Sequence, residues 1–128
     1  MILGIGIDLV KVARLTDMHA RHGSRLAQRL LAPEELADYV EARDKDRFLA
    51  KRFAAKEALA KALGTGLRHP VQLTRIWVEH DALGRPTLGF TPELAHWIER
   101  RGIVRFHLSI SDEAEHAIAF VIAEGDSP

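Results

Sequence analysis

The chain has 128 residues, no cysteine, and eighteen basic against eighteen acidic side chains, so its formal charge at neutral pH is zero. That length suits one domain able to bury roughly two-thirds of its unfolded surface without a disulfide staple. The charge balance excludes a global basic field for nucleic acid, and the missing cysteines agree with a reducing cytosol.

The start, Met1-Ile2-Leu3-Gly4-Ile5-Gly6-Ile7, lacks the basic flank of a secretory signal and is interrupted by Asp8. No apolar run reaches the ~18–20 residues of a membrane span. The expectation is a soluble cytoplasmic protein that engages neither membrane nor nucleic acid. Ile2 to Val10 reads as a strand buried on both faces, because its apolar residues run on instead of alternating. Gly4 and Gly6 mark a close approach of another backbone. Leu9 stands where a dinucleotide fingerprint needs its third glycine, so that reading fails. Asp8 either caps the helix that follows or presents a carboxylate at the strand's end, where α/β sites commonly lie.

Val12 to Leu30 reads as helical, with a break signalled at His22-Gly23-Ser24, where Ser24 can cap a second piece. On one continuous helix Arg14, Met18, Arg21 and Arg25 form a basic stripe with no acid of its own. Such a stripe is either a solvated face or a docking surface for an acidic helical partner. His19 and His22, one turn apart, lack the further ligands of a zinc site. Pro33 with Glu34 and Glu35 suits the first turn of a helix running to about Ala42. Arg43 to Lys45 make a charged turn, and Asp46 caps the next helix.

That next helix, Phe48 to Leu63, consists almost wholly of strong helix formers and is closed by Gly64. Phe48, Leu49, Phe53, Leu59 and Leu63 occupy one arc and alanines most of the rest, the pattern of a buried helix. Charges on such a helix need partners, because bare desolvation costs several kcal/mol per ion. Glu57 and Lys61 lie one turn apart on one side, Arg52 and Lys56 on another. Ion pairing along the helix is one reading. The other joins them with Asp8 and the Gly64-Thr65-Gly66 turn, whose amides can approach an anion, as a site for a charged ligand.

Leu67 to Leu73 is irregular around Pro70. Thr74 to His80 and Arg85 to Phe90 read as a hairpin whose tip ends in Gly84-Arg85-Pro86. Pro86 has no donor for a ladder, which makes the tip an edge from which Arg85 can reach beyond its own domain. Thr91-Pro92-Glu93 caps and opens a helix carrying Leu94, Trp97 and Ile98 and ended by Gly102. Ile103 to Ser109 and Ala117 to Ala123 are the last strands, joined by a polar loop around Ser111-Asp112-Glu113. The irregular alternation of elements predicts an α+β fold, a mainly antiparallel sheet packed against the long central helix.

Three separated motifs together resemble the holo-acyl-carrier-protein synthase family of the 4′-phosphopantetheinyl transferase superfamily. They are Gly4-Ile5-Gly6-Ile7-Asp8-Leu9-Val10, then Arg52-Phe53-Ala54-Ala55-Lys56-Glu57-Ala58-Leu59-Ala60-Lys61 running into Gly64-Thr65-Gly66, and finally Gly84-Arg85-Pro86 with His107-Leu108-Ser109-Ile110-Ser111. Their order and spacing match over essentially the whole chain. The resemblance implies one 4′-phosphopantetheinyl transferase-like domain over 1–128, assembled as a homotrimer with each site at a subunit boundary. It implies transfer of 4′-phosphopantetheine from coenzyme A to a serine hydroxyl of apo-acyl carrier protein, releasing adenosine 3′,5′-bisphosphate, for fatty acid biosynthesis. By position it makes Asp8 and Glu57 magnesium carboxylates, Lys61 a pyrophosphate contact, and Gly84-Arg85-Pro86 a coenzyme-contacting hairpin. The Arg14, Met18 and Arg21 stripe becomes the carrier docking helix. One position departs: Asp112 follows Ser111 where the family often has His.

Two carboxylates are too few to cage Mg²⁺, which takes six oxygens, but they suit a site completed by substrate phosphates. Lys61 can then help neutralise the leaving bisphosphate, and Glu57, directly or through water, is the first choice to accept the serine proton. Arg52, Lys56, Arg85 and His107 are candidates for the 3′-phosphate or outer pyrophosphate contacts. Two rival readings are a non-catalytic coenzyme A or nucleotide-binding module and a magnesium phosphohydrolase.

Overall fold

The structure, a computed structural model, describes residues 1–127. Strand β1 (Ile2–Lys11) leads into helices α1 (Val12–His22) and α2 (Arg25–Leu30), then a 3-10 turn at Pro33–Glu35, α3 (Leu36–Glu41) and α4 (Lys45–Leu63). There follow β2 (Ile76–His80), β3 (Pro86–Phe90), α5 (Pro92–Arg100), β4 (Ile103–Asp112) and β5 (His116–Gly125). The strands form a three-stranded sheet in the order β1-β5-β4 and a separate hairpin sheet β2-β3, every ladder antiparallel. This is the expected α+β architecture.

The axis of the molecule is α4, of whose nineteen residues twelve are buried. One side lies on the inner face of the larger sheet, where β5 offers Ala117, Ala119, Val121 and Ala123. Small residues on both surfaces bring helix and sheet unusually close. At Gly4 and Gly6 of β1 the approach is closest, for a Cβ on either would overlap the carbonyl oxygen of Ala62 or Ala58 respectively. Leu15 of α1, Leu26 and Leu30 of α2 and Ile76 of β2 complete the buried core around the helix.

Several local expectations are corrected. Asp44, not Asp46, occupies the N-cap position of α4 and accepts a hydrogen bond from Arg47 N at 3.0 Å. Asp46 in the first turn instead accepts from Thr16 Oγ1 at 2.9 Å and sits 3.0 Å from His19 Nδ1, tying α1 to α4. The hairpin begins at Ile76, because Leu73–Arg75 close into a 3-10 turn. Ser111 and Asp112 continue β4, so the final loop is shorter than expected. Thr91 holds the N-cap position of α5, yet its buried hydroxyl finds no hydrogen-bond partner.

β1 is not buried on both faces. Ile5, Ile7 and Leu9 are 61%, 54% and 62% exposed, and in register they stand beside Ile122, Phe120 and Ile118 of β5. Directly opposite residues share a face. The outer face of this sheet therefore carries an apolar surface that none of the described residues covers. The alanine arc of α4 is buried, as the pattern of a buried helix implied.

Candidate active site

Side chains alternate along β1, so Gly4, Gly6, Asp8 and Val10 face α4. The two glycines let the strand run against the helix backbone, and Asp8 is the first residue after them with a side chain long enough to meet it. Lys61 Nζ donates to Asp8 Oδ1 at 3.0 Å and to Ile7 O at 2.9 Å. Asp8 lies inside β1, and Lys11 holds the N-cap position of α1, so Asp8 is not a helix cap.

Glu57 lies one turn before Lys61 and is half-buried. Burial pushes its carboxyl above the usual glutamate range, the charge of Asp8 pushes the same way, and Lys61 and Arg14 pull back. The two carboxylates are thus close enough to repel, with the Lys61 ammonium on Asp8. Arg14 reaches this corner from α1, its guanidinium stacked 5.3 Å over the Phe53 ring. Asp8, Glu57 and Lys61 are therefore gathered from two elements into one half-open cluster.

Arg52 and Lys56 are not part of it. Both turn inward to Glu35, which is 0% exposed, as is Lys56, while Arg52 is 5% exposed. Lys56 Nζ donates to Glu35 Oε1 at 2.6 Å and to the carbonyls of Leu30 and Leu73, both at 2.8 Å. Arg52 NH1 donates to Glu35 Oε2 and to Val78 O, both at 3.0 Å, and its guanidinium lies 4.4 Å over Phe48. Burial pulls the Lys56 ammonium below the usual lysine range, and Glu35 opposes that. The expectation that these two cations reach a phosphate is overturned: the ammonium has no free hydrogen, and the guanidinium is sealed in. Glu35 looks in the sequence like an ordinary first-turn acid. The signal that points to it is the pair of cations on a buried helix, which demand a buried acid.

The Gly64-Thr65-Gly66 turn also differs from expectation. Gly64 and Gly66 take positive φ angles of 77° and 65°, but the amides of Gly64, Thr65 and Gly66 bond back to Lys61 O and Ala60 O and so close the helix. They leave no cradle of free N–H groups for an anion. Arg85 is exposed at the hairpin tip, which Asp81 shapes by accepting from the amides of Leu83 and Arg85, both at 2.9 Å. Pro86 begins β3 on the same tip. His107 lies opposite Ile122 on the outer face of the sheet, its Nε2 2.8 Å from Glu124 Oε1, and Asp8 projects from the inner face. One copy of the chain does not bring His107 and Asp8 together.

Arg14, Met18 and Arg21 line one groove on α1 with Lys11, and Asp17 lines it too, so the stripe is not free of acid. Gly23 breaks the helix before Arg25, which belongs to α2 and stands outside that groove. Asp112, the departing position, is held by Arg47 NH1 at 3.2 Å and approached by Lys51 Nζ at 3.6 Å. Among the described residues, no helix is long and apolar enough to cross a membrane.

Fold and cluster define a class. Residues 4–121 match the model of the 4′-phosphopantetheinyl transferase superfamily, and the chain belongs to that superfamily. Among its relatives, the holo-[acyl-carrier-protein] synthase of Laribacter hongkongensis is 55% identical over 125 residues, covering 98% of this chain and all of that one. The crystal structure of the holo-[acyl-carrier-protein] synthase from Neisseria meningitidis superposes with a TM-score of 0.95 at 48% identity, over 97% of this chain and 99% of the other. The Helicobacter pylori synthase in complex with coenzyme A gives 0.81 at 31% identity, over 94% and 99%.

Proposed function

We propose that this chain transfers 4′-phosphopantetheine from coenzyme A to a serine hydroxyl of apo-acyl carrier protein. The serine oxygen attacks the pantetheine-bearing phosphorus, the bond from that phosphorus to the bridging oxygen breaks, and adenosine 3′,5′-bisphosphate departs. The observation that carries the reading is the convergence of Asp8 with Lys61, beside Glu57, in a chain that matches synthases end to end. Such a step serves fatty acid biosynthesis in the cytoplasm.

The cluster fits a magnesium ion. Two carboxylates close enough to repel, only partly offset by Lys61 and Arg14, offer oxygen ligands in a half-open corner, and among the described residues no group of three or more His, Cys, Asp or Glu side chains forms a closed cage. Asp8 and Glu57 would hold the ion, and its remaining ligands would be left to substrate phosphates and water. Bound there, it supplies charge neutralisation to the pyrophosphate. Lys61 holds Asp8 in place and presents its ammonium to the leaving bisphosphate. Glu57, directly or through a water, accepts the serine proton. Arg85 on the exposed hairpin contacts the coenzyme. The α1 groove with Arg14, Met18 and Arg21 docks the acidic helical carrier, where complementary charge speeds encounter and sets orientation.

The apolar outer face of the sheet supports assembly as a homotrimer. Covering Ile5, Ile7, Leu9 and Phe120 with the same surface of other copies would remove this apolar surface from water. It also allows residues of different copies, His107 among them, to meet one site.

The test is to incubate the protein with coenzyme A, Mg²⁺ and an apo-carrier and to read intact mass. A carrier heavier by one phosphopantetheine supports the transferase. Free phosphopantetheine with an unmodified carrier identifies a hydrolase, and no change a binding module.

A further inference from the structure

The Glu35 cluster performs no chemistry in the reaction above, yet it reaches both halves of the machinery. Each Glu35 oxygen accepts two hydrogen bonds: Oε1 from Lys56 Nζ at 2.6 Å and Ala32 N at 3.0 Å, Oε2 from Arg52 NH1 at 3.0 Å and Val78 N at 3.1 Å. Arg52 NH1 closes the ring on Val78 O at 3.0 Å. The amide and the carbonyl of one residue in β2 are thus both fastened to α4 through side chains, where a strand normally meets a helix through apolar packing alone.

The position of this fastening matters at both ends. Lys56 directly precedes Glu57, and at ~100° per residue the pinning of Arg52 and Lys56 sets the rotation at which Glu57 and Lys61 present themselves to Asp8. On the strand side, Val78 pairs with Leu88, and the ladder ends two residues further at His80–Pro86, immediately before Arg85. The hairpin sheet has only two strands, and isolated two-stranded hairpins are marginally stable. Its orientation therefore depends on what holds it from outside.

We propose that Arg52 is a positioning residue, which through Glu35 and the Val78 carbonyl fixes the hairpin against α4 and so sets where Arg85 meets the coenzyme. This rests on the transferase reading above. Arg52 is the member to remove, because Glu35 and Lys56 remain as a bonded pair of opposite charge and Glu35 Oε2 keeps the Val78 amide, while the Val78 carbonyl loses its Arg52 donor. Its other contacts are the Phe48 ring and the exposed Asp38, 3.8 Å away.

The experiment is a double-mutant cycle between Arg52→Met and Arg85→Ala, read as steady-state constants of the full chain with coenzyme A, Mg²⁺ and apo-carrier. Arg52→Met raises KM for coenzyme A between roughly 10- and 100-fold, the range expected when a positioned group shifts by about 1 Å, and leaves KM for the carrier unchanged. Arg52→Lys restores part of the loss, since an ammonium keeps a donor for Glu35 and Val78 O, but its shorter stem does not carry that donor to the place NH1 occupies. On the Arg85→Ala background Arg52→Met adds less than about twofold, because the group it positions is already gone. The proposal is overturned if Arg52→Met leaves KM for coenzyme A at the wild-type value, or if the two penalties multiply in full, as a direct contact or a general loss of stability requires. Should Arg52→Met fail to fold, the cycle is run with Arg52→Lys under the same two criteria. A wild-type protein that transfers nothing defeats the functional reading itself, whereas an active wild type with an additive cycle defeats only this inference.

Discussion

Lys61 Nζ lies 3.0 Å from Asp8 Oδ1, a contact between residues 53 positions apart in the chain. The lysine does not pair along its own helix with Glu57, which is the arrangement helical spacing alone favours. Burial, and then the charge of Asp8, raise the proton affinity of the carboxylate one turn away, against the pull of Lys61 and Arg14.

Asp8→Asn keeps the shape of the side chain and removes its charge. The Mg²⁺ concentration for half-maximal activity rises on the order of tenfold or more, because ligand charge sets affinity for hard cations. A variant with wild-type magnesium dependence shows that Asp8 serves only Lys61.

Glu57→Gln lowers kcat on the order of 10²-fold or more while leaving assembly intact. Stability moves the other way. The folded pKa of Glu57 stands above the unfolded one, so its contribution is fully present below the ordinary glutamate pKa and is lost as pH rises through the raised value. In chelator at neutral pH the Gln variant therefore melts at a higher temperature than wild type, and the difference closes as pH falls below the ordinary glutamate range. Mg²⁺ raises the melting temperature of wild type more than that of the variant. A variant less stable at neutral pH would assign Glu57 to a structural ion pair.

Arg14→Glu with Arg21→Glu raises KM for the carrier on the order of tenfold or more, equivalent to at least about 1.4 kcal/mol, and leaves KM for coenzyme A nearly unchanged. Light salt titration separates the cases further, since a charge-steered encounter weakens with ionic strength. Equal shifts in both constants would make the α1 groove structural.

Ile7→Asp places a carboxylate in the middle of the exposed apolar face and disfavours any assembly that buries it by about 3 kcal/mol or more. Light scattering then reports a species of one-chain mass in place of the three-chain mass expected of wild type under the proposed assembly. Retention of the larger species would locate the assembly interface elsewhere.

Much of this was legible in the residues. Gly4, Gly6 and Asp8 in alternation announce a strand that lies on a backbone and carries a carboxylate on the same face, and the alanines of α4 announce the helix that receives it. The partner of Arg52 and Lys56 was not legible. Glu35 lies 17 and 21 positions before them, in a stretch whose proline and paired acids have a sufficient local explanation as a first turn. Nor could the apolar run of β1 reveal its own cover. A strand buried by its own chain and one awaiting another copy carry the same side chains, and only the burial of the finished protomer tells them apart. The Gly64-Thr65-Gly66 amides misled for a related reason: glycines that suit an anion cradle also suit the closing turn of a helix.

The two glycines of β1 carry a consequence for how this sequence can drift. A single methyl at position 4 or 6 drives the strand off the backbone of α4, and the displaced strand takes Asp8 away from Lys61 with it. A saturation library spanning the segment should return nothing but glycine at those two sites while accepting many oily residues at 5, 7 and 9. Tolerance in this strand is thus one-sided, and its most permissive positions alternate with its least forgiving ones.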